Sequence, residues 1–236
     1  MRMAKLLLYE LAWMILFPVQ YVPGAAGERL RRLVWRCFLG GIGKGVRIDV
    51  GVQFVNPRWI FIGDHTWIDK YAVLIAGPPH EGQRVLGRRS NPDFQGKEGE
   101  LRIGARCHIA PHSLIQAHGG VWIGDELTVA SGARIYSMTH HYCPLDRAQS
   151  RFYRFSSTAR EEDQALIVSP VVVQTGAAVG LNCVVMPGST IGENSWVGTN
   201  SLVHGSIPPN SIAWGVPAKV MREIVLDEPV GTGEPQ

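Results

Sequence analysis

The stretch "VVVQTGAAVGLNCVVMPGSTIGENSWVGTNSLV", residues 171–203, returns to an aliphatic side chain at every sixth position: Val173, Val179, Val185, Ile191, Val197 and Val203. A lone strand repeats with period two and a helix with period 3.6, so six belongs to neither. A hexapeptide period is that of a parallel β-helix, in which each hexapeptide is one short strand plus a turn and three of them make one triangular coil. The aliphatic side chain fills a narrow prism. The residue after it is small where the chain passes a corner (Gly180, Gly192, Gly198), and a second small residue four positions on also points inward (Ala177, Ser189, Ser195, Ser201).

The same register extends back to Ile42. Ile42, Ile48 and Phe54 make one set of three, followed by Ile62, Ile68 and Leu74, then Ile103, Ile109 and Ile115, then Ile123, Val129 and Ile135. With the two sets above, the expectation is an all-β fold of about six stacked coils over residues 41–205, with short slips at 60–61 and 121–122. Two long interruptions, at about 75–102 and 136–172, both follow the third hexapeptide of a coil, so both leave the prism at one corner. The first, "AGPPHEGQRVLGRRSNPDFQGKEGE", is rich in Gly, Pro and charge. Loops this long in a compact repeat are usually functional or disordered. Stacked coils lie about 4.8 Å apart, so the two loops should open within roughly 10 Å of each other.

Composition narrows the function. The 236 residues are 45% hydrophobic and 18% charged, which is globular rather than disordered. A net charge of +3 gives no case for a nucleic-acid partner. Cys37, Cys107, Cys143 and Cys183 have no metal-site spacing, which favours reduced thiols and a cytoplasmic setting. Before the repeat, residues 1–40 read as helical. "LLLYELAWMILFPV" (6–19) is apolar but interrupted by Glu10 and is shorter than the roughly 18–20 residues of a spanning helix. "ERLRRLVWRCF" (28–38) is basic and amphipathic. Residues 1–38 are thus open to two readings, a cap on the prism and peripheral contact with an anionic bilayer, which are compatible. After the repeat, 206–226 should hold a C-terminal segment with a short helix, and 227–236 a flexible tail.

Residues 179–224, "VGLNCVVMPGSTIGENSWVGTNSLVHGSIPPNSIAWGVPAKVMREI", resemble the C-terminal signature of the hexapeptide-repeat acyltransferases. Closest are the sugar O-acetyltransferases of the galactoside, maltose and polysaccharide-modifying kinds, and the likeness extends over about 42–224. The resemblance implies a left-handed β-helix, a homotrimer, and acetyl-CoA as acyl donor with no metal required. It implies a sugar hydroxyl as acceptor, on a surface-polysaccharide precursor that a lipid could carry, so that the enzyme would work at the inner face of the membrane. It places the catalytic histidine 17 residues after the start of its coil, which from Ile123 is His140 in "IYSMTHHYCPLD" (135–146). Imidazole suits a general base near neutral pH. The oxyanion donor maps onto the backbone N–H of Leu181, and the acceptor side onto His112 and the neighbouring His141. Thr199, Lys219 and Arg222 fall at CoA-contacting positions. The same base and thioester would also serve an amine acceptor. Two rivals share the fold: a non-catalytic scaffold, and a γ-class carbonic anhydrase-like zinc enzyme for which His108, His112 and His118 would be the ligands.

Overall fold

The computed structural model describes residues 14, 17–79, 82, 85–88, 90–140 and 154–225. His141, Cys143 and the tail at 227–236 lie outside the described residues.

The chain winds as a left-handed parallel β-helix. The first face stacks Gly41–Ile42, Ile60–Ile62, Leu101–Ile103, Val121–Ile123, Val171–Val173, Thr190–Ile191 and Ser206–Ile207. The second stacks Arg47–Ile48, Trp67–Ile68, His108–Ile109, Thr128–Val129, Ala178–Val179, Trp196–Val197 and Ser211–Gly215. The third stacks Gln53–Val55, Val73–Ile75, Leu114–Gln116, Arg134–Tyr136, Val184–Val185 and Leu202–Val203. Six coils are complete and a seventh is begun. The register pairs like with like, Ile62 with Ile103, Ile103 with Ile123, and Ile123 with Val173, so one ladder of aliphatic side chains runs down the axis. Of the repeat positions in that core, Ile48, Ile109, Ile115, Ile123, Ile135, Val185 and Val197 have no solvent exposure.

The corners explain the small residues. A Cβ on Gly63 would lie 2.5 Å from the carbonyl carbon of Gly104 in the next coil, closer than any side chain allows. The hexapeptide reading passes over a third regularity. The residue three after the aliphatic takes the left-handed conformation at successive corners, as in Gly51, Tyr71, His112, Gly132, Asn182 and Asn200. Asn and Gly tolerate that conformation best, so Tyr71 and His112 are the strained members of this column. Inward hydroxyls tie neighbouring coils together: Thr66 donates to the Gly104 carbonyl at 2.7 Å and Ser195 to that of Pro208 at 2.6 Å. Cys107 and Cys183 occupy the same inward positions, and burial pushes both thiols up, away from the reactive thiolate.

A helix, Gly24–Trp35, closes the first coil. Trp35 packs on Phe54 with ring centroids 4.7 Å apart. Arg31 is fully buried; its Nε–H donates to the Ile48 carbonyl at 2.8 Å and its Nη1 to that of Val22 at 2.7 Å. Among the described residues no helix is long and apolar enough to cross a membrane.

The other end corrects an expectation. In place of a C-terminal helix, Ala218–Glu223 is a strand that runs antiparallel to Ser211–Gly215. The last strand of the second face would otherwise present an unpaired backbone edge, and a hairpin satisfies it. The turn at Gly215, with φ at 110°, reverses the chain. Lys219 therefore stands opposite Trp214 and Arg222 opposite Ile212, on a strand.

Candidate active site

Both loops leave between the third face and the first, and they meet. Strand Arg134–Tyr136 gives way at Ser137 to a further strand, Met138–His140. This pairs antiparallel with Leu166–Val168, His140 standing opposite Leu166. Leu166–Val168 pairs in turn, in parallel, with Val85–Arg88 from the first loop. A three-stranded sheet thus joins two loops that begin 61 residues apart in sequence (Ile75 to Tyr136). Ser137 fixes the exit. It is fully buried, its hydroxyl donates to the Gln116 carbonyl at 2.9 Å, and it accepts the Gly119 N–H at 2.9 Å.

His140 lines a cavity of about 300 Å³ with Gln116, Tyr136, Met138, Thr139, Leu166, Val184 and Met186. The wall is mostly apolar. Two polar atoms in it are buried without a hydrogen-bond partner among the described residues, His140 Nδ1 and Gln116 Oε1. His118 sits at the same corner one coil earlier, its Nδ1 2.7 Å from the Gly77 carbonyl oxygen at the base of the first loop. Gln116, Tyr136 and the methionines carry no sign in the sequence beyond an outward place on the third face; the loops are what bury them.

The remaining candidates lie elsewhere. His112, Leu181 and Thr199 share the corner between the second face and the third. A ladder of backbone bonds marks this column: Gly132 N–H to Pro111 O at 3.1 Å, Asn182 N–H to Ser131 O at 3.1 Å, and Asn200 N–H to Leu181 O at 2.8 Å. His112 stacks on Tyr71, with ring centroids 5.4 Å apart and planes 12° from parallel. Leu181 and Thr199 are exposed. Lys219 and Arg222 are exposed on the closing hairpin. Within one chain, then, the third face separates His140 on one edge from His112, Leu181 and Thr199 on the other. His108 is a third case: its Nε2 lies 2.6 Å from Asp69 Oδ2 on the second face. The fold thus sends His108, His112 and His118 to a face and two different corners. Among the described residues no three His, Cys, Asp or Glu side chains converge as a metal site.

No family model matches the chain. It is 27% identical over 184 residues to a probable acetyltransferase of Mycobacterium tuberculosis, covering 77% of this chain and 49% of that protein. It is 33% identical over 133 residues to galactoside O-acetyltransferase of Escherichia coli, covering 56% and 59%. The chain thus spans about half the length of these curated relatives. An N-acyltransferase from Bacillus cereus, solved with dTDP-4-amino-4,6-dideoxyglucose and coenzyme A, superposes with a TM-score of 0.65 over 83% of this chain and 90% of that one. At 19% identity that likeness shows the fold. The chain is thus similar in part of its sequence to these acetyltransferases and shares its fold with the N-acyltransferase.

Proposed function

We propose that this protein is an acyl-CoA-dependent O-acyltransferase that moves acetyl from acetyl-CoA to a sugar hydroxyl of a surface-polysaccharide precursor. The observation that carries this reading is His140, held by a paired strand at the wall of a cavity between the third face and the second loop. As general base, its imidazole takes the proton of the acceptor hydroxyl as the oxygen attacks the thioester carbonyl. The tetrahedral oxyanion collapses, the C–S bond breaks, and CoA leaves as thiolate, which takes up the proton. Backbone N–H groups suit the oxyanion, and Leu181 is assigned that part. Thr199, Lys219 and Arg222 are assigned to CoA, and His112 and His141 to the acceptor.

The working unit is a homotrimer with its sites between subunits. The separation of His140 from Leu181 across the third face supports this, as does that face's half-exposed apolar wall of Val73, Leu114, Val184 and Leu202. Peripheral membrane contact on the cytoplasmic side rests on the exposed Phe17, Tyr21, Leu30 and Leu33 beside the exposed Arg29 and Arg36. Thiol release from acetyl-CoA, measured against a panel of sugars and sugar nucleotides, tests the function. Acceptor-dependent release is expected with at least one sugar. No release above the acceptor-free rate with any of them counts against it.

A further inference from the structure

The cavity beside His140 holds a mismatch. An amide oxygen and an imidazole nitrogen are both buried in one small, largely apolar space, and neither has a partner among the described residues. A buried polar atom left unmet destabilises the fold. Such groups persist where they serve function. The two are complementary. Gln116 Oε1 only accepts, and a neutral imidazole donates from whichever ring nitrogen carries the proton. Their strands are close, because Gln116 is in register with Tyr136 and Met138–His140 continues the strand of Tyr136.

Resting on the acyltransferase reading, we infer that Gln116 is the positioning residue of His140. Its Oε1 accepts the Nδ1 proton once the substrates close the cavity, which leaves the Nε2 lone pair free to act as base. The remaining polar side chains in the wall, Tyr136 and Thr139, offer hydroxyls. A hydroxyl both donates and accepts, so it holds either tautomer, whereas an amide oxygen holds one. Neighbouring outward positions in the Gln116 column are Ile75 and Tyr136, so the amide is not a requirement of the repeat.

The test uses the full chain, with acetyl-CoA varied at fixed sugar acceptor for the kinetics and with CoA and the same sugar bound for the spectroscopy. Gln116→Met keeps the volume and removes the acceptor. It should lower kcat by about 10–100-fold with KM for acetyl-CoA little changed. Gln116→Glu keeps an acceptor and should recover most of kcat. Its carboxylate favours the protonated imidazole, so the acid limb of its pH–rate profile should move to higher pH. Besides His140, Tyr136 is the one titratable side chain among the described residues of the wall. A readout free of turnover is the ¹⁵N spectrum of the histidines, with His140 assigned by its loss in His140→Ala. The wild-type ring should carry its proton on Nδ1, and Gln116→Met should lose that preference. An unchanged tautomer, or an unchanged kcat, in Gln116→Met overturns the inference. Absence of thiol release from the wild-type chain would sink the acyltransferase reading instead, and the ¹⁵N spectrum would still judge the pairing.

Discussion

A base that removes a proton in the rate-determining step is worth about 10²–10⁴-fold. His140→Ala should therefore lower turnover by about that factor. Because the side chain lies on a rim and not in the axial ladder, the melting temperature should hardly move. His141→Ala should cost much less. Paired acetyl-transfer rates and thermal melts of the two variants check this, and the opposite ranking would place the base one residue later. The break in the hexapeptide register shows in the sequence where the chain leaves the prism, and the choice of His140 at that corner comes from the family resemblance. Gln116 could not. In the repeat it is simply an outward residue, and it shares a cavity with His140 and with Leu166, 50 positions later, only because the second loop returns there. Nothing local to "SLIQAHG" records that.

At the scale of elements, repetition decides what sequence alone discloses. Six coils satisfy one another's backbones, so each hexapeptide is under the same constraint and the pattern is visible. The ends escape it. "GVPAKVMREI" has helix-forming residues, but the open edge of Ser211–Gly215 recruits it as a strand, a tertiary demand that overrides local preference. The N-terminal helix shows the reverse ambiguity, since its arginines look alike in sequence and differ in place. Arg31 is buried and hydrogen-bonded to the backbone of the first coil, while Arg29 and Arg36 face solvent beside Leu30 and Leu33. The two roles should separate by mutation. Arg31→Ala leaves buried carbonyls without donors and should destabilise the fold by about 2–4 kcal/mol, seen as a lower urea midpoint. The double variant Arg29→Glu, Arg36→Glu should keep that midpoint and sediment less with anionic liposomes, by roughly 1 kcal/mol of binding for each arginine lost. Equal sedimentation of this variant and the wild-type chain would leave the helix as a cap alone.

At the scale of the whole molecule, the third face sets the question. It carries the proposed base on one edge and the proposed oxyanion donor on the other, and a single prism offers no deep cleft that holds both. Three prisms around a threefold axis repeat one heterologous contact, in which each copy's His140 edge meets the Leu181 edge of the next. A chain with His140→Ala and a chain with Leu181→Pro, which removes the backbone N–H, should each be nearly inactive alone. Dissociated, mixed in equal amounts and reassembled at random, they should regain about a quarter of wild-type activity, because one interface in four pairs an intact His140 with an intact Leu181 from its neighbour. Light scattering on the same samples should give a trimer mass throughout. If both halves of the site came from one chain, mixing would restore nothing, since every chain present would carry a defect. A fully active species at monomer mass would likewise end the proposal, because the wall that excludes water from the thioester would then have to come from the chain's own loops.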